Sequence, residues 1–473
     1  MTRQQFAQLA LLSFPAFALP KWAVATVADV FISQRPATGK RKFTSKAVDA
    51  LIEEIKAKAS DKELAWMFEN CFPNTLDTTV FFETNNQIPD TYVITGDIDA
   101  MWLRDSSAQV NPYLSLCPQD PQLSLMVEGL IRRQTQNILL DPYANAFYKD
   151  DKKISQWKND KTEMKPGVHE RKWEVDSLCY CIRLAYQYWK ITGNTAMLDT
   201  EWNNAMTLVV ATMQQQQRKK DNGPYHFERK GGGKNDTLQG QGYGRPVKPT
   251  GMICSAFRNS DDACTYLFNI PENLFAVTAL GQLAEMLEAI KQQPDLVVKC
   301  TLLAKEIELG VNEYGIANHP QFGKIYAYEC DGLGNQLLME DAGLPGLVTI
   351  PYLGYGSTAD AIYQRSRKFA LSESNPYFFK SKVAEGTGSP HLDWKGDMIW
   401  HLGIIARAIT ASDDEEIKYC LNLLKTSHAG KGFMHEGFRK NNPNDFTRHW
   451  FAWANSFFGE LIVKLYRERP HLL

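Results

Sequence analysis

Asp97, Asp99, Trp102, Arg104 and Asp105 fall together in GDIDAMWLRDSSAQV, residues 96–110. The same kind of mixture recurs in HERKWEVD at 169–176, FRNSDDA at 257–263, SPHLDWKGDMIW at 389–400, FMHEGF at 433–438 and FTRHWFAWAN at 446–455. Carboxylates and amides beside large rings suit sugars. The ring packs on the apolar face of a pyranose while fixed polar groups take its hydroxyls. Hydrolysis of a glycosidic bond asks for two carboxyls in unlike states. One is protonated for the leaving oxygen, and the other is ionised to activate water or to attack. Neither metal nor cofactor is required. Competing chemistries lack their residues: the chain has no GxSxG, no HExxH, no GxGxxG after a strand and no Walker loop. His435 beside Glu436 has no second histidine at helical spacing to complete a metal site.

Helices are the elements that must position these clusters. Apolar residues recur at helical spacing in three stripes. The first is Leu178, Cys181, Ile182, Ala185 and Trp189; the second is Leu280, Leu283, Ala284, Leu287 and Ile290. The third is Trp450, Trp453, Ala454, Phe457, Leu461 and Leu465. Strand patterns are scarce, and TTVFF at 78–82 and KIYAYE at 324–329 are the best. The clusters marked by Asp105, Asp176, Asp262, Asp341, Asp397 and Trp450 stand at or just before helix starts, 53 to 86 residues apart. Each interval fits two helices and two connections. Capping accounts for acids at such places, but not for the Trp, Arg and His beside them. The expected fold is all-α: a ring of about six helical hairpins, an (α/α)6 barrel with minor β excursions and the clusters at one mouth. Residues 218–250, rich in Gly, Lys, Asn and Asp, form a long excursion. One catalytic domain is expected over 30–473.

Composition agrees with a large globular chain. It has 473 residues, 44% hydrophobic and 22% charged. A net charge of −2 argues against nucleic acid or an anionic membrane surface as partner. Beyond the N-terminus no stretch reaches the roughly 18 apolar residues of a membrane span. At the N-terminus, Arg3 is followed by an apolar run from Phe6 to Leu19 and by Ala23, Ala25 and Ala28. Lys21 interrupts the pattern, but residues 1–25 read as a signal peptide cut near Ala25 or Ala28. That implies a periplasmic or secreted protein. The nine Cys are scattered, without a CxxC pair, and read as buried small hydrophobes.

GDIDAMWLRDSSAQV, WEVDSLCY, GMICSAFRNSDDACTYLFNIPENLFAV, PYLGY, GSPH and FMHEGF…FTRHWFAWANSFFGEL together resemble glycoside hydrolase family 125, from about residue 45 to 468. The resemblance implies an (α/α)6 fold and a metal-independent, inverting exo-α-1,6-mannosidase. The substrates implied are mannose-containing glycans of N-glycan or mannan type. It places the general acid in FRNSDDA, where Asp261 and Asp262 both fit and Asp262 is preferred, and the general base at Glu436. Around the pair stand Trp102, Arg104, Asp105, Glu174, Asp176, Arg258, His391, Trp394, Arg448, Trp450 and Asn455. Trp102 would give mannose a face, Asp97, Asp99 or Asp105 would take its hydroxyls, and Arg104 would hold those acids ionised. Trp453 and Phe457, one turn apart, read as core. Glu340 and Asp341 have no assigned role. Three other readings stay open. One is an inverting α-glucosidase of the same architecture, and another is a glycan-binding protein with a dead catalytic pair. The third is a Mg²⁺-dependent prenyl-transferring enzyme using the acidic pairs Asp261–Asp262 and Asp413–Asp414.

Overall fold

Thirteen α-helices dominate the residues described by our computed structural model, 31–473. The expected signal segment lies outside the described residues. The helices are α1 (Lys46–Lys58), α2 (Lys62–Cys71), α3 (Asn74–Thr78), α4 (Leu103–Val110), α5 (Pro121–Leu140), α6 (Val175–Thr192) and α7 (Thr200–Gln215). They continue with α8 (Ile270–Ala289), α9 (Pro294–Tyr314), α10 (Ala361–Ala370), α11 (His401–Ile409), α12 (Asp414–Ser427) and α13 (Ala452–Glu468).

Helix starts follow two rules. α2, α5, α7, α10 and α12 are capped by Asp61, Asp120, Asp199, Asp360 and Asp413, whose carboxylates accept from first-turn N–H groups. These donors have no partner inside the helix. α4, α6, α11 and α13 start instead after Trp102, Glu174, Trp400 and Phe451, none of which caps through its side chain. The acids in the first turns of α4 and α6, Asp105 and Asp176, pair with Arg104. Capping therefore explains a different set of acids from the ones the site clusters carry.

Packing joins α4, α6, α11 and α13 to one another and to α8, which Asn269 caps. α6 buries Leu178, Cys181, Ile182 and Ala185 and packs on α4 and α8. α4 also packs on α13, and α13 on α11. Between α8 and α11 in the chain stands a 3₁₀ turn, Leu347–Thr349, which touches α10 and α11. A second set packs on these: α9 on α8, α12 on α11, α2 on α13 and α5 on α6. Tyr180 meets Phe275 and Trp453 edge-on at 5.1 and 6.5 Å, so α6, α8 and α13 share one core. Each such side chain, fully buried, contributes roughly 1.5–3 kcal/mol.

The minor β excursions include three short ladders, unmarked by any sequence pattern, that run into α4, α8 and α11. Met101–Trp102 pairs with Ala146–Phe147, which pairs with Val168–Glu170. Phe268–Asn269 pairs with Glu329–Cys330, and that with Gln336–Leu337. Met398–Trp400 pairs with Gly437–Arg439, and that with Asn442–Phe446. The first ladder ties MWLRD to HERKWEVD, and the third ties DMIW to FMHEGF and FTRHW. Segments this short show no alternation, and their pairing comes from tertiary context. TTVFF contributes to the hairpin Val80–Asn85 with Ile88–Val93, while KIYAYE is divided between two different sheets. Residues 218–250 carry no helix and no strand. All nine Cys are buried and unpaired.

Candidate active site

A cleft with about 480 Å³ of empty space, open to solvent, lies where α4, α11 and α13 begin. Trp102, Arg104 and Asp105 supply one part of its wall, Asn259, Ser260 and Asp261 another. His391, Trp400, Glu436, Arg448, Phe451 and Trp453 complete it with Thr95 and Ile98. The indole Nε1 groups of Trp102 and Trp400 are buried, with no hydrogen-bond partner among the described residues. Two donors in a polar-aromatic wall fit a ligand rich in oxygen.

Arg104 is the electrostatic centre. Its Nη1 donates to Glu174 at 2.8 Å and lies 3.3 Å from Asp176, while Asp105 and Asp261 stand at 3.6 and 3.7 Å. One guanidinium cannot balance four carboxylates in a buried site. Burial pushes Glu174 well above the usual carboxylate range, against the pull of Arg104, and raises Asp176 as well. Burial likewise lifts Asp105, to about 6. Asp261 moves the other way: burial raises it, but Lys172 and Arg104 outweigh burial and lower it to about 2. Glu174 and Asp261 act on each other electrostatically, Asp261 raising Glu174 and Glu174 lowering Asp261. Asn145 Nδ2 also reaches both, at 3.2 and 3.3 Å. Arg104 does not hold Asp99, contrary to the sequence expectation. Asp99 is a solvent-facing residue, its side chain 76% exposed, paired with Lys153 at 3.0 Å. Asp97 pairs with Arg448 at 2.9 Å.

Glu436 is buried in the same wall. Its Oε2 accepts from Thr447 Oγ1 and faces Arg448 Nε, each at 3.3 Å. FMHEGF is held from behind. Asn455 accepts from the Met434 N–H at 2.8 Å and donates to Asn74 at 3.0 Å. His435 donates from Nδ1 to the Arg448 carbonyl at 2.7 Å and stacks on Phe446 at 3.9 Å. Burial lowers its pKa to about 4, so it is neutral and serves to fix Glu436 and Arg448.

The loop carrying the two aspartates is clamped at every residue. Arg258 donates to Glu329 at 2.6 Å, Asn259 to the Pro345 carbonyl at 2.6 Å, and Ser260 to Asp341 at 2.8 Å. Asp262 binds His391 Nδ1 and accepts from Asn235 Nδ2, both at 3.0 Å. Asp261 has φ of 66°, a left-handed conformation that costs a non-glycine residue energy and is held by its surroundings. Its side chain is 28% exposed and lines the cleft, whereas Asp262 is buried off the wall. Glu340 accepts the N–H groups of Leu347 and Val348, and burial raises it to about 8. The acidic loop at 340–341 therefore supports the 3₁₀ turn and Ser260.

Residues 61–463 match the family of metal-independent alpha-mannosidases, GH125. The chain belongs to glycoside hydrolase family 125. The enzyme is therefore an α-mannosidase. It is 40% identical to the meiotically up-regulated gene 157 protein of Schizosaccharomyces pombe, over 93% of this chain and 89% of that protein. It is also similar to a solved metal-independent α-mannosidase of Streptococcus pneumoniae, in a non-productive complex with α-1,6-mannobiose. That match has a TM-score of 0.86 and 39% identity, and covers 90% of this chain and all of that one.

Within the mannosidase, the residues named from sequence divide into wall and support. Trp102, Arg104, Asp105, Asp261, His391, Glu436 and Arg448 line the cleft. Asp176, Arg258, Asp262 and Asn455 lie behind it, each tied to a residue or loop of the wall. Trp450 packs its ring on Gly96, where an added Cβ would stand 2.8 Å from it. Trp453 is buried in the core as expected, against Tyr180, and also reaches the wall 5.8 Å from the Arg104 guanidinium, while Phe457 is core against Tyr352. Asp413 and Asp414, at the start of α12, are engaged in capping and in pairing with Arg469. Trp400 was missed although it shares a word with His391. Asn145 and Asn235 were missed because neither lies in a distinctive motif.

His391 carries a pH signature. Burial lowers its pKa, but the hydrogen bond and charge of Asp262 outweigh burial and raise it to about 9. A folded value above the ordinary 6.5 means that the pair contributes its full stability below pH ~6.5 and loses it as pH rises through about 9. The Tm difference between wild type and His391→Gln is expected to shrink from pH ~6 to pH ~9.5. A difference constant over that range contradicts this.

Proposed function

We propose that this mannosidase releases terminal α-1,6-linked mannose from glycans with inversion, using Asp261 as general acid and Glu436 as general base. The observation that carries the pair is their presence on the wall of one cleft. Asp262 has its carboxylate engaged by His391 and Asn235. The α-1,6 linkage is supported by the ligand of the pneumococcal relative. In this reading, mannose rests against Trp102, with the indole N–H groups and Asp105 taking its oxygens. The buried Glu174–Asp261 pair holds one proton, delivered through Asp261 to the glycosidic oxygen as the C1–O bond breaks. Glu436, which faces Arg448 and accepts from Thr447, takes a proton from water. That water bonds to C1 from the opposite face, so an α-mannoside yields β-mannose and a shortened glycan.

The helix contacts support an (α/α)6 reading of the fold. α4, α6, α8, the 3₁₀ turn at 347–349, α11 and α13 would be the six inner members, and the α13–α4 contact would close the ring. Export is part of the proposal, and N-terminal sequencing of protein from its host should begin past residue 25. The decisive experiment is digestion of α-1,2-, α-1,3- and α-1,6-mannobiose in EDTA, with NMR of the first-formed anomer. Preferential cleavage of the α-1,6 dimer to β-mannose is expected. First-formed α-mannose, or activity lost with EDTA and restored by a divalent cation, overturns the mechanism.

A further inference from the structure

Trp394 is exposed to 75%, more than any other large apolar side chain described. It sits in the 3₁₀ segment Pro390–Lys395, three residues after His391. His391 lines the cleft and bonds Asp262, so this segment is fastened directly behind the proposed acid. A second segment is fastened to the same carboxylate. Asn235, in the glycine-rich excursion, donates to the other oxygen of Asp262. Its neighbour Lys234 acts electrostatically on Asp393, beside Trp394. The two segments thus meet at Asp262, the neighbour of the proposed acid, and the first of them reaches the cleft through His391. In glycosidic hydrolysis the acid touches the leaving oxygen, so the leaving sugar occupies this side. Lys395 Nζ stands 5.4 Å from the centroid of the exposed Trp394 indole, and the apolar C–H face of a pyranose also fits such a ring.

From this juxtaposition we infer that Trp394 is a platform for a sugar on the leaving-group side. It would give the enzyme preference for glycan substrates over mannosides with a small leaving group. The inference rests on the α-mannosidase reading of the cleft and extends it to a specificity residue outside the wall. The test compares kcat/KM for α-1,6-mannobiose and an α-1,6-mannotriose with that for α-mannosyl fluoride, which has no leaving sugar. Trp394→Ala should lower the ratio of glycan to fluoride about tenfold, mainly through KM, and Trp394→Phe should restore most of it. A ratio unchanged by Trp394→Ala overturns the inference alone. Self-association of the wild type that Trp394→Ala abolishes, with the ratio unchanged, assigns the indole to a second copy of the chain and also overturns it. A wild type that cleaves the fluoride but no α-1,6-linked substrate overturns the linkage reading, and this inference with it.

Discussion

Glu436→Gln should lower kcat for α-1,6-mannobiose about 10²–10⁴-fold while leaving the fold in place. The amide has nearly the same shape and keeps an oxygen for Thr447 and Arg448. What it loses is the ability to take a proton from water. Water attack is required whatever the leaving group, so α-mannosyl fluoride should suffer as much as the disaccharide. A melting curve close to wild type would separate chemistry from misfolding. Near-normal rates on both substrates would remove Glu436 from the mechanism. Asp105, the other carboxyl on this wall besides Asp261, would be the next candidate.

Asp261→Asn should lower turnover of α-1,6-mannobiose by a similar factor, about 10²–10⁴, but affect α-mannosyl fluoride far less. Fluoride leaves with little protonation, whereas a sugar alkoxide does not. Asp262→Asn should act more weakly and on both substrates alike, because Asp262 reaches the cleft through His391 and Asn235. The ratio of the two rates decides the assignment. If the leaving-group dependence appears in Asp262→Asn and not in Asp261→Asn, then the acid is Asp262, the residue preferred from sequence.

Sequence alone determined the helices and the chemistry of the clusters. A stripe such as Leu178, Cys181, Ile182 and Ala185 is a local pattern, and α6 buries it. The mixture of carboxylates with Trp, Arg and His in FMHEGF and GDIDAMWLRD is equally local, and Glu436, Trp102 and Arg104 meet in one cleft. Tertiary structure decided what depends on direction and on distant partners. Asp261 and Asp262 are adjacent and chemically alike. Which one faces the cleft is set by a left-handed backbone at 261 and by clamps from Asn235, Asp341, Pro345 and His391. Arg104 has acids before and after it in sequence. Its distant partners Glu174 and Asp176 come from the start of α6, and Asp99 faces water. The ladders beside the cleft are two to five residues long and carry no period of their own. They form because packed helices bring their strands together, a long-range cause that no local stretch encodes.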